Sequence, residues 1–255
     1  MLLTPLEQFQ IISVFSIKFF YLDFSFTNML LINLIVIISV ISIFFFNFSK
    51  NYANEISFFI IPNTWQILFE IVYEIGFQLL FDNLNIQGEK YFPIVSVLFF
   101  FILLNNLIGL VPYSFTITSH LIVTFILSSS IFIGINIISI KQHKLNILSL
   151  FIPANTSFFL AILLVPIEFV SYIFKPISLG VRLFANLMAG HTLLKVIIGF
   201  SWSMMLLEDL FSIVHVLPLF ILVILMGLEL AVAFIQAYVF TILTCIYLND
   251  GINLH

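Results

Sequence analysis

Long runs of apolar residues dominate the chain, and three of them have the length of a single membrane span. The first covers about Asn28 to Phe46, the second about Tyr91 to Leu110, and the third about Ser119 to Ile140. A helix of that length crosses a bilayer core of about 30 Å. These runs therefore predict three upright spans in the first part of the chain.

One segment between the first two runs has a different, amphipathic pattern. From Pro62 to Asp82, polar residues recur at every fourth position, namely Gln66, Glu70, Glu74, Gln78 and Asp82. Polar residues at this spacing share one face of a helix, which is typical of a helix lying along a membrane surface. Pro62 suits a first helical turn, and Trp65 suits an interfacial anchor. We expect an interfacial helix here; the alternative is one more membrane span.

The last part of the chain contains two apolar stretches that are too long for upright spans. From Asn155 to Phe200 a continuous helix would reach about 70 Å, so it must fold back, tilt steeply or lie along the membrane plane. Pro166 and Pro176 offer bends within it. The second stretch runs from about Leu206 to Leu248 and is broken once, at Pro218. The pattern predicts a hairpin of two long, strongly tilted membrane helices.

Together these segments predict an all-α polytopic membrane protein with three parts. Residues 1–27 form an N-terminal segment, residues 28–144 hold the first span, the amphipathic helix and two further spans, and residues 145–255 form the tilted hairpin. The composition agrees, because 62% of the residues are hydrophobic and 8% are charged. Such a composition excludes an ordinary soluble domain.

The lysines indicate how the chain crosses the membrane. With the N-terminus outside, Lys50, Lys90, Lys141 and Lys144 fall on the inner side and Lys18 falls on the outer side. Lysine and arginine accumulate on the inner side of membrane proteins. We therefore expect an outer N-terminus and an inner C-terminus.

Several classes of function are disfavoured by the composition. The net charge of −4 is scattered, so no basic face suggests nucleic acid. The single cysteine, Cys245, excludes an intrachain disulfide and a cysteine-cluster metal site. No nucleotide motif or nucleophile constellation is present, and we expect no cofactor, no metal and no catalytic residue.

The only arginine of the chain, Arg182, lies inside a highly apolar stretch, Ser178–His191. Placing a guanidinium at membrane depth costs a few kcal/mol or more and usually marks a function. Ion movement through the membrane explains an arginine used once, and at this position. The alternative is a structural strut.

Further polar residues lie at helical spacing on the two hairpin helices. A row spaced seven apart contains Glu168, Lys175, Arg182 and Ala189, with Asn186 one turn beyond Arg182 on the same side. Small neighbours (Ser178, Ala185 and Ala189) permit close approach of another helix. On the last helix, Glu229, Ala233, Gln236 and Phe240 share a face. Ionisable groups at membrane depth on both helices match a proton path.

Each of these polar residues also has a purely structural interpretation. Glu168 and Lys175 would form an ion pair, and His191 would donate a hydrogen bond to a backbone carbonyl. Asn186 and Gln236 would make ordinary interhelical hydrogen bonds. For Asn106 and His120, a structural role and a water-lined vestibule are equally good interpretations.

These residues resemble a known family. The run Ser178-Leu-Gly-Val-Arg-Leu-Phe-Ala-Asn-Leu-Met-Ala-Gly-His191 closely resembles the signature of subunit a of mitochondrial F-type ATP synthases, in particular plant and algal ones. The resemblance covers nearly the whole chain, including Thr4–Phe9, Asn106–Phe115, Gly227–Leu230, Ile235–Phe240 and Tyr247–His255. Phe174–Ile177 departs from the pattern, because such relatives often have an arginine and no proline there.

The resemblance implies a stator subunit that conducts protons through two offset half-channels beside a c-ring. It assigns the intake path to Glu229, His191 and Asn186. It extends this path to Gln236, Asn106 and His120. It assigns the release path to Glu168 and Asp250, with Lys175 as a channel-lining residue, and sets Arg182 between the two paths.

The same resemblance implies the partners and the location of the chain. Its partners are the c-ring, the peripheral stalk, other membrane-sector subunits and inner-membrane lipids, without nucleic acid. It lies in the mitochondrial inner membrane, with the N-terminus on the intermembrane side and the C-terminus in the matrix. By itself it catalyses no reaction.

Besides an ATP synthase subunit, two alternatives of different classes remain at this point. A secondary transporter or a hydrophobic respiratory-chain subunit also combines broken helices with buried charge. A purely structural membrane anchor is the third possibility. The absence of an internal repeat disfavours the first, and one arginine with two glutamates at membrane depth disfavours the last.

Overall fold

The computed structural model describes residues 7–20, 22–53, 64–111, 114–144, 158–205 and 216–253. In these ranges the chain forms six α-helices: α1 (Asn28–Ala53), α2 (Thr64–Leu84), α3 (Phe92–Gly109), α4 (Leu121–His143), α5 (Phe158–Met205) and α6 (Val216–Ile252). Short 3₁₀ helices occur at Glu7–Phe9, Asn85–Tyr91 and Ile117–Ser119. The predicted all-α class is confirmed.

Four helical segments of the described chain are long and apolar enough to cross a membrane. They are Gly88–Gly109, Leu121–His143, Leu160–Met205 and Val216–Ile252. The apolar part of α1 whose side chains are described, Asn28–Ser42, is shorter. A polytopic membrane protein is therefore confirmed, with the second and third predicted spans in α3 and α4 and the two overlong stretches in α5 and α6.

Helix α2 coincides with the predicted amphipathic segment and is not among those four segments. The polar side chains of its row whose exposure is described are all exposed: Glu70, Glu74, Gln78 and Asp82. The opposite side buries Leu79, Leu80 and Leu84. Pro62 lies outside the described residues. The position of this helix at the membrane surface stays a prediction.

Helices α5 and α6 are continuous despite their prolines. Helix α5 has 48 residues, which corresponds to about 72 Å, and it contains Pro166 and Pro176 in its interior. Helix α6 has 37 residues, or about 56 Å. Pro218, where a break in the stretch was expected, lies in the first turn of α6, and residues 206–215 before this helix lie outside the described residues. A proline costs no hydrogen bond there, since the first-turn N–H groups have no acceptor within the helix. Leu206, the predicted start of this stretch, lies outside the described residues.

Short strands precede α1, and the sequence analysis did not anticipate them. Strand β1 (Ser13–Phe15) pairs antiparallel with β4 (Phe26–Thr27), and β2 (Lys18–Phe19) pairs antiparallel with β3 (Leu22–Asp23). Phe20 begins the tight turn between β2 and β3 with a positive φ of 53°. Aromatic and β-branched residues favour such strands, but pairs this short give too weak a periodicity to detect.

The chain packs as two compact units. The first unit comprises Met1–Ile43, Phe101–His120 and Leu183–Ala237. Its fully buried apolar side chains include Val36, Ile102 and Leu183. The second unit comprises Phe44–Phe100, Leu121–Arg182 and Tyr238–His255. A cluster of buried apolar residues forms its core: Leu80, Leu84, Val95, Ile135, Cys245, Leu248 and Ile252.

Candidate functional site

The first unit contains a buried polar cluster at the contact of α5 with α6. His191 of α5 and Glu229 of α6 are only 8% and 7% exposed. The His191 Nδ1 atom lies 3.7 Å from the Glu229 Oε1 atom. That distance is too long for a direct hydrogen bond, so the two groups are close neighbours that a small side-chain rotation would bring to hydrogen-bond length.

A glycine makes this close approach possible. A Cβ atom at Gly190 would lie 2.7 Å from the Glu229 Oε1 atom and 3.2 Å from its carboxyl carbon. Any larger side chain at this position would displace the carboxylate. Within the described chain, both carboxylate oxygens of Glu229 and the Nε2 atom of His191 are buried without a hydrogen-bond partner. Buried polar atoms of this kind are usually satisfied by ordered water or by a ligand.

Amides from three helices extend the buried polar cluster. The Asn186 side-chain amide donates a hydrogen bond of 2.8 Å to the Gln236 side-chain oxygen. The fully buried Asn106 of α3 donates to the Ala233 carbonyl oxygen over 3.3 Å. The interhelical hydrogen bonds weighed for Asn186 and Gln236 therefore exist. The buried cluster is defined below as His191, Glu229, Gln236 and Asn106, and the exposed Asn186 borders it through its hydrogen bond to Gln236.

His120 belongs to the same unit but lies between the membrane-spanning segments. Its ring packs against Phe115 with centroids 5.1 Å apart. Burial lowers the pKa of His120 below its usual value, because the charged imidazolium loses hydration. His120 is therefore predominantly neutral at pH 7.

The second unit contains a different polar arrangement, a half-exposed ion pair. The Lys175 ammonium lies 3.2 Å from the Asp250 Oδ2 atom, and the two side chains are 30% and 38% exposed. The ammonium also lies over the rings of Tyr172 and Tyr247, at 5.4 Å and 4.9 Å from their centroids. The ion pair considered for Lys175 is thus with Asp250 on α6, while Glu168 is exposed on α5.

Arg182 is the last residue of the second unit on α5, and its side chain is exposed. Its charge is close enough to act on the Tyr247 hydroxyl. The surrounding helix is one of the four segments apolar enough to cross a membrane. An exposed guanidinium on such a segment faces either lipid or a partner protein, and lipid is the costly choice.

The structure divides the residues selected from the sequence between the two units. His191, Glu229, Asn186, Gln236, Asn106 and His120 belong to the first, whereas Glu168, Lys175, Arg182 and Asp250 belong to the second. The sequence analysis missed Tyr172 and Tyr247, which enclose the Lys175 ammonium. Each tyrosine stands three residues before a charged group, Lys175 or Asp250, and that helical spacing was visible in the sequence.

Metal binding finds no support in the described part of the chain. No three histidine, cysteine, aspartate or glutamate side chains there lie close enough together to hold a metal ion. The thiol of Cys245 is fully buried in the core of the second unit.

Comparisons with known proteins show the family of the chain. Residues 29–249 match the family described as ATP synthase A chain. A protein of Pylaiella littoralis is 52% identical over 252 residues, covering 99% of both chains, and one of Chondrus crispus is 48% identical over 252 residues, covering 99% of this chain and 97% of the other. A protein of Marchantia polymorpha is 46% identical over 257 residues, covering 99% of both chains. All three are named ATP synthase subunit a. The chain belongs to the ATP synthase A chain family.

Proposed function

We propose that this chain is the proton-conducting stator subunit of a mitochondrial ATP synthase, in which proton flow past a rotating c-ring drives ATP synthesis. Membership of the ATP synthase A chain family decides against the alternatives of a secondary transporter, a respiratory-chain subunit and a structural membrane anchor. The observation that carries the mechanism is the single arginine, exposed on an apolar helix. Along α5, the proposed release residues Glu168 and Lys175 precede Arg182, and the proposed intake residues Asn186 and His191 follow it.

The buried cluster is the proposed intake path. His191 and Glu229 exchange a proton between ring nitrogen and carboxylate once a side-chain rotation shortens their 3.7 Å separation to hydrogen-bond length. Asn186 and Gln236 then provide donors and acceptors further along the path. Unpaired buried oxygens on Glu229 support this role, since a structural carboxylate normally accepts several hydrogen bonds.

The half-exposed ion pair belongs to the proposed release path. Asp250 supplies the carboxylate, and its side chain is 38% exposed. The Lys175 ammonium donates a hydrogen bond of 3.2 Å to that carboxylate. The exposed carboxylate of Glu168 lies two helical turns before Lys175 on α5.

Arg182 has two proposed tasks at the ring. A fixed cation stabilises the ionised form of a ring carboxylate and so promotes its deprotonation. Arginine remains charged at every physiological pH, and it therefore cannot carry the proton between the two paths itself. The exposed small residues Ser178, Ala185 and Ala189 allow a ring helix to approach α5 closely.

Variants at Arg182 test this function. We expect both Arg182→Ala and Arg182→Lys to abolish coupled ATP synthesis in assembled complexes. The alanine variant should also let protons leak passively, because nothing then prevents a ring carboxylate from exchanging with both paths. Passive proton permeability is measured together with subunit content. Loss of the subunit without a leak would indicate a strut, and a tight, fully coupled Arg182→Ala enzyme would overturn the proposal.

We further propose that the N-terminus faces the intermembrane space and the C-terminus the matrix, as the lysine distribution indicates. A cysteine at the exposed Asn253 should react with a membrane-impermeant thiol reagent only from the matrix side. A cysteine at Phe24, which is 65% exposed, should react only from the other side. The native Cys245 is fully buried and does not compete. Reversed labelling would exclude this orientation.

A further inference from the structure

The N-terminal segment contributes one side chain to the interior of the first unit. Phe9 ends the short 3₁₀ helix Glu7–Phe9 and is 8% exposed. Of the residues from 7 to 24 whose exposure the structure describes, Phe9 alone is buried. A single buried aromatic in an otherwise exposed segment marks the point at which that segment is anchored.

The contact made by Phe9 is with the histidine of the buried cluster. The two rings meet edge to face, with centroids 6.0 Å apart and planes inclined by 62°. This is a favoured geometry for aromatic pairs and restricts how each ring can turn. Phe9 thus holds one side of the His191 imidazole.

Two further groups lie near the His191 ring but do not hold it. Gly109 of α3 has no side chain, and a Cβ atom there would lie 3.7 Å from the His191 Nε2 atom. Glu229 faces the Nδ1 atom at 3.7 Å without a hydrogen bond. Among the described residues, the edge-to-face contact with Phe9 therefore provides the ring contact that orients the imidazole.

Charges extend from this point toward the surface. Lys195 follows His191 by one helical turn on α5, and its charge acts on His191. The exposed Glu7, two residues before Phe9, acts in turn on Lys195. Among the described residues, the charged groups near His191 are Glu229 from α6 and Lys195 from its own helix, while Phe9 and Gly109 add none.

We infer that Phe9 forms one wall of the proton intake path and is a positioning residue that holds the His191 ring near Glu229. The inference rests on the proposed function, because it assigns these residues to the intake side of the same proton path.

The test uses the intact ATP synthase in sealed inner-membrane vesicles. ATP synthesis per assembled complex is measured against the pH on the intake side. Phe9→Leu keeps an apolar side chain but removes the ring edge, and we expect at least a roughly tenfold loss of rate, since a displacement of about 1 Å can cost more than that. The pH midpoint should shift as well. Phe9→Tyr, which keeps the ring, should restore most of the rate and the original midpoint.

Two comparisons separate positioning from simple packing. Phe15→Leu alters an aromatic that is 67% exposed in the same segment, and it should leave both rate and midpoint unchanged. Phe9→Leu combined with His191→Gln should be no slower than His191→Gln alone, because Phe9 acts only through the histidine.

The possible outcomes distinguish this inference from the proposed function. Additive losses in the double variant, or a Phe9→Leu enzyme with an unchanged rate and midpoint per complex, would overturn the inference. If Phe9→Leu and Phe9→Met both lower only the amount of complex, Phe9 is structural and the inference also fails. In each case the proposed intake path is tested separately by Glu229→Gln. An inactive Glu229→Gln enzyme would support the proposed path, whereas a fully active one would contradict it.

Discussion

The polar groups of the two units differ in burial and in pairing. In the first unit His191 and Glu229 are almost completely buried, and both Glu229 oxygens lack a hydrogen-bond partner within the described chain. In the second unit Lys175 and Asp250 are directly paired at 3.2 Å and about a third exposed. The two carboxylates thus differ both in burial and in pairing, the two properties that govern how a carboxyl group exchanges protons.

The same two helices supply both arrangements, so local packing makes the difference. In the first unit α5 offers Gly190, which lets Glu229 approach the backbone without an obstructing side chain. In the second unit α5 and α6 each offer a tyrosine, Tyr172 and Tyr247, whose rings face the Lys175 ammonium. A small residue thus accompanies the buried, unpaired carboxylate, whereas aromatic rings accompany the partly exposed ion pair.

The largest expected difference between the units concerns their carboxylates. Glu229→Gln is nearly isosteric but removes a relay group from a buried path, so we expect ATP synthesis per assembled complex to fall on the order of a hundredfold. Asp250→Asn should reduce it much less, because water near an exposed group can take over proton exchange. Equal losses would contradict the contrast between buried and exposed paths.

A smaller effect is expected from crowding the buried carboxylate. Gly190→Ala places a methyl group 2.7 Å from the Glu229 Oε1 atom and must displace it. We expect a roughly tenfold loss of ATP synthesis, since modest misplacement of a reacting group is costly. Gly227→Ala is the matched control, because a Cβ at Gly227 meets nothing within 4 Å in the described structure. A Gly190→Ala enzyme as active as this control would show that Glu229 tolerates displacement.

The ion pair of the second unit should contribute little to stability. Lys175→Met keeps a side chain of similar length but removes the ammonium. Loss of the ion pair with Asp250 should lower the free energy of unfolding by at most about 1 kcal/mol, because exposed ion pairs are screened by water. The combined Lys175→Met and Asp250→Asn variant isolates the interaction itself in a double-mutant cycle. The measurement is the thermal midpoint of the assembled complex at low and high salt. A coupling far above this value would mean that the pair is effectively buried.

The smallest effect expected is a dependence of stability on pH through His120. Its pKa is lowered in the folded chain, so the unfolded chain binds the proton more tightly. Its contribution is therefore fully present above the unfolded pKa of about 6.5 and declines as the pH falls below that value. His120→Gln should make the thermal midpoint of the complex less dependent on pH between about pH 7.5 and pH 5.5, the range in which histidines gain a proton. An unchanged slope would exclude a role for His120 in this dependence.

Much of the fold was already determined by the sequence. Apolar run lengths predicted the helices that became α3 and α4, and the overlong stretches predicted α5 and α6. The single Arg182 and its surrounding motif predicted the family. These features depend on hydrophobic periodicity and residue chemistry over short distances along the chain, and both can be read without knowing how helices cross.

Only the tertiary structure decided which polar groups meet. Glu168 and Lys175 share a face of α5, yet the ion pair of Lys175 is with Asp250, 75 positions later. The sequence likewise gave no sign that Phe9 contacts His191, or that Gly190 leaves room for Glu229. The reason is physical: the crossing of two helices depends on the shape of all the side chains between them, so contacts distant in sequence are fixed by packing rather than by local pattern.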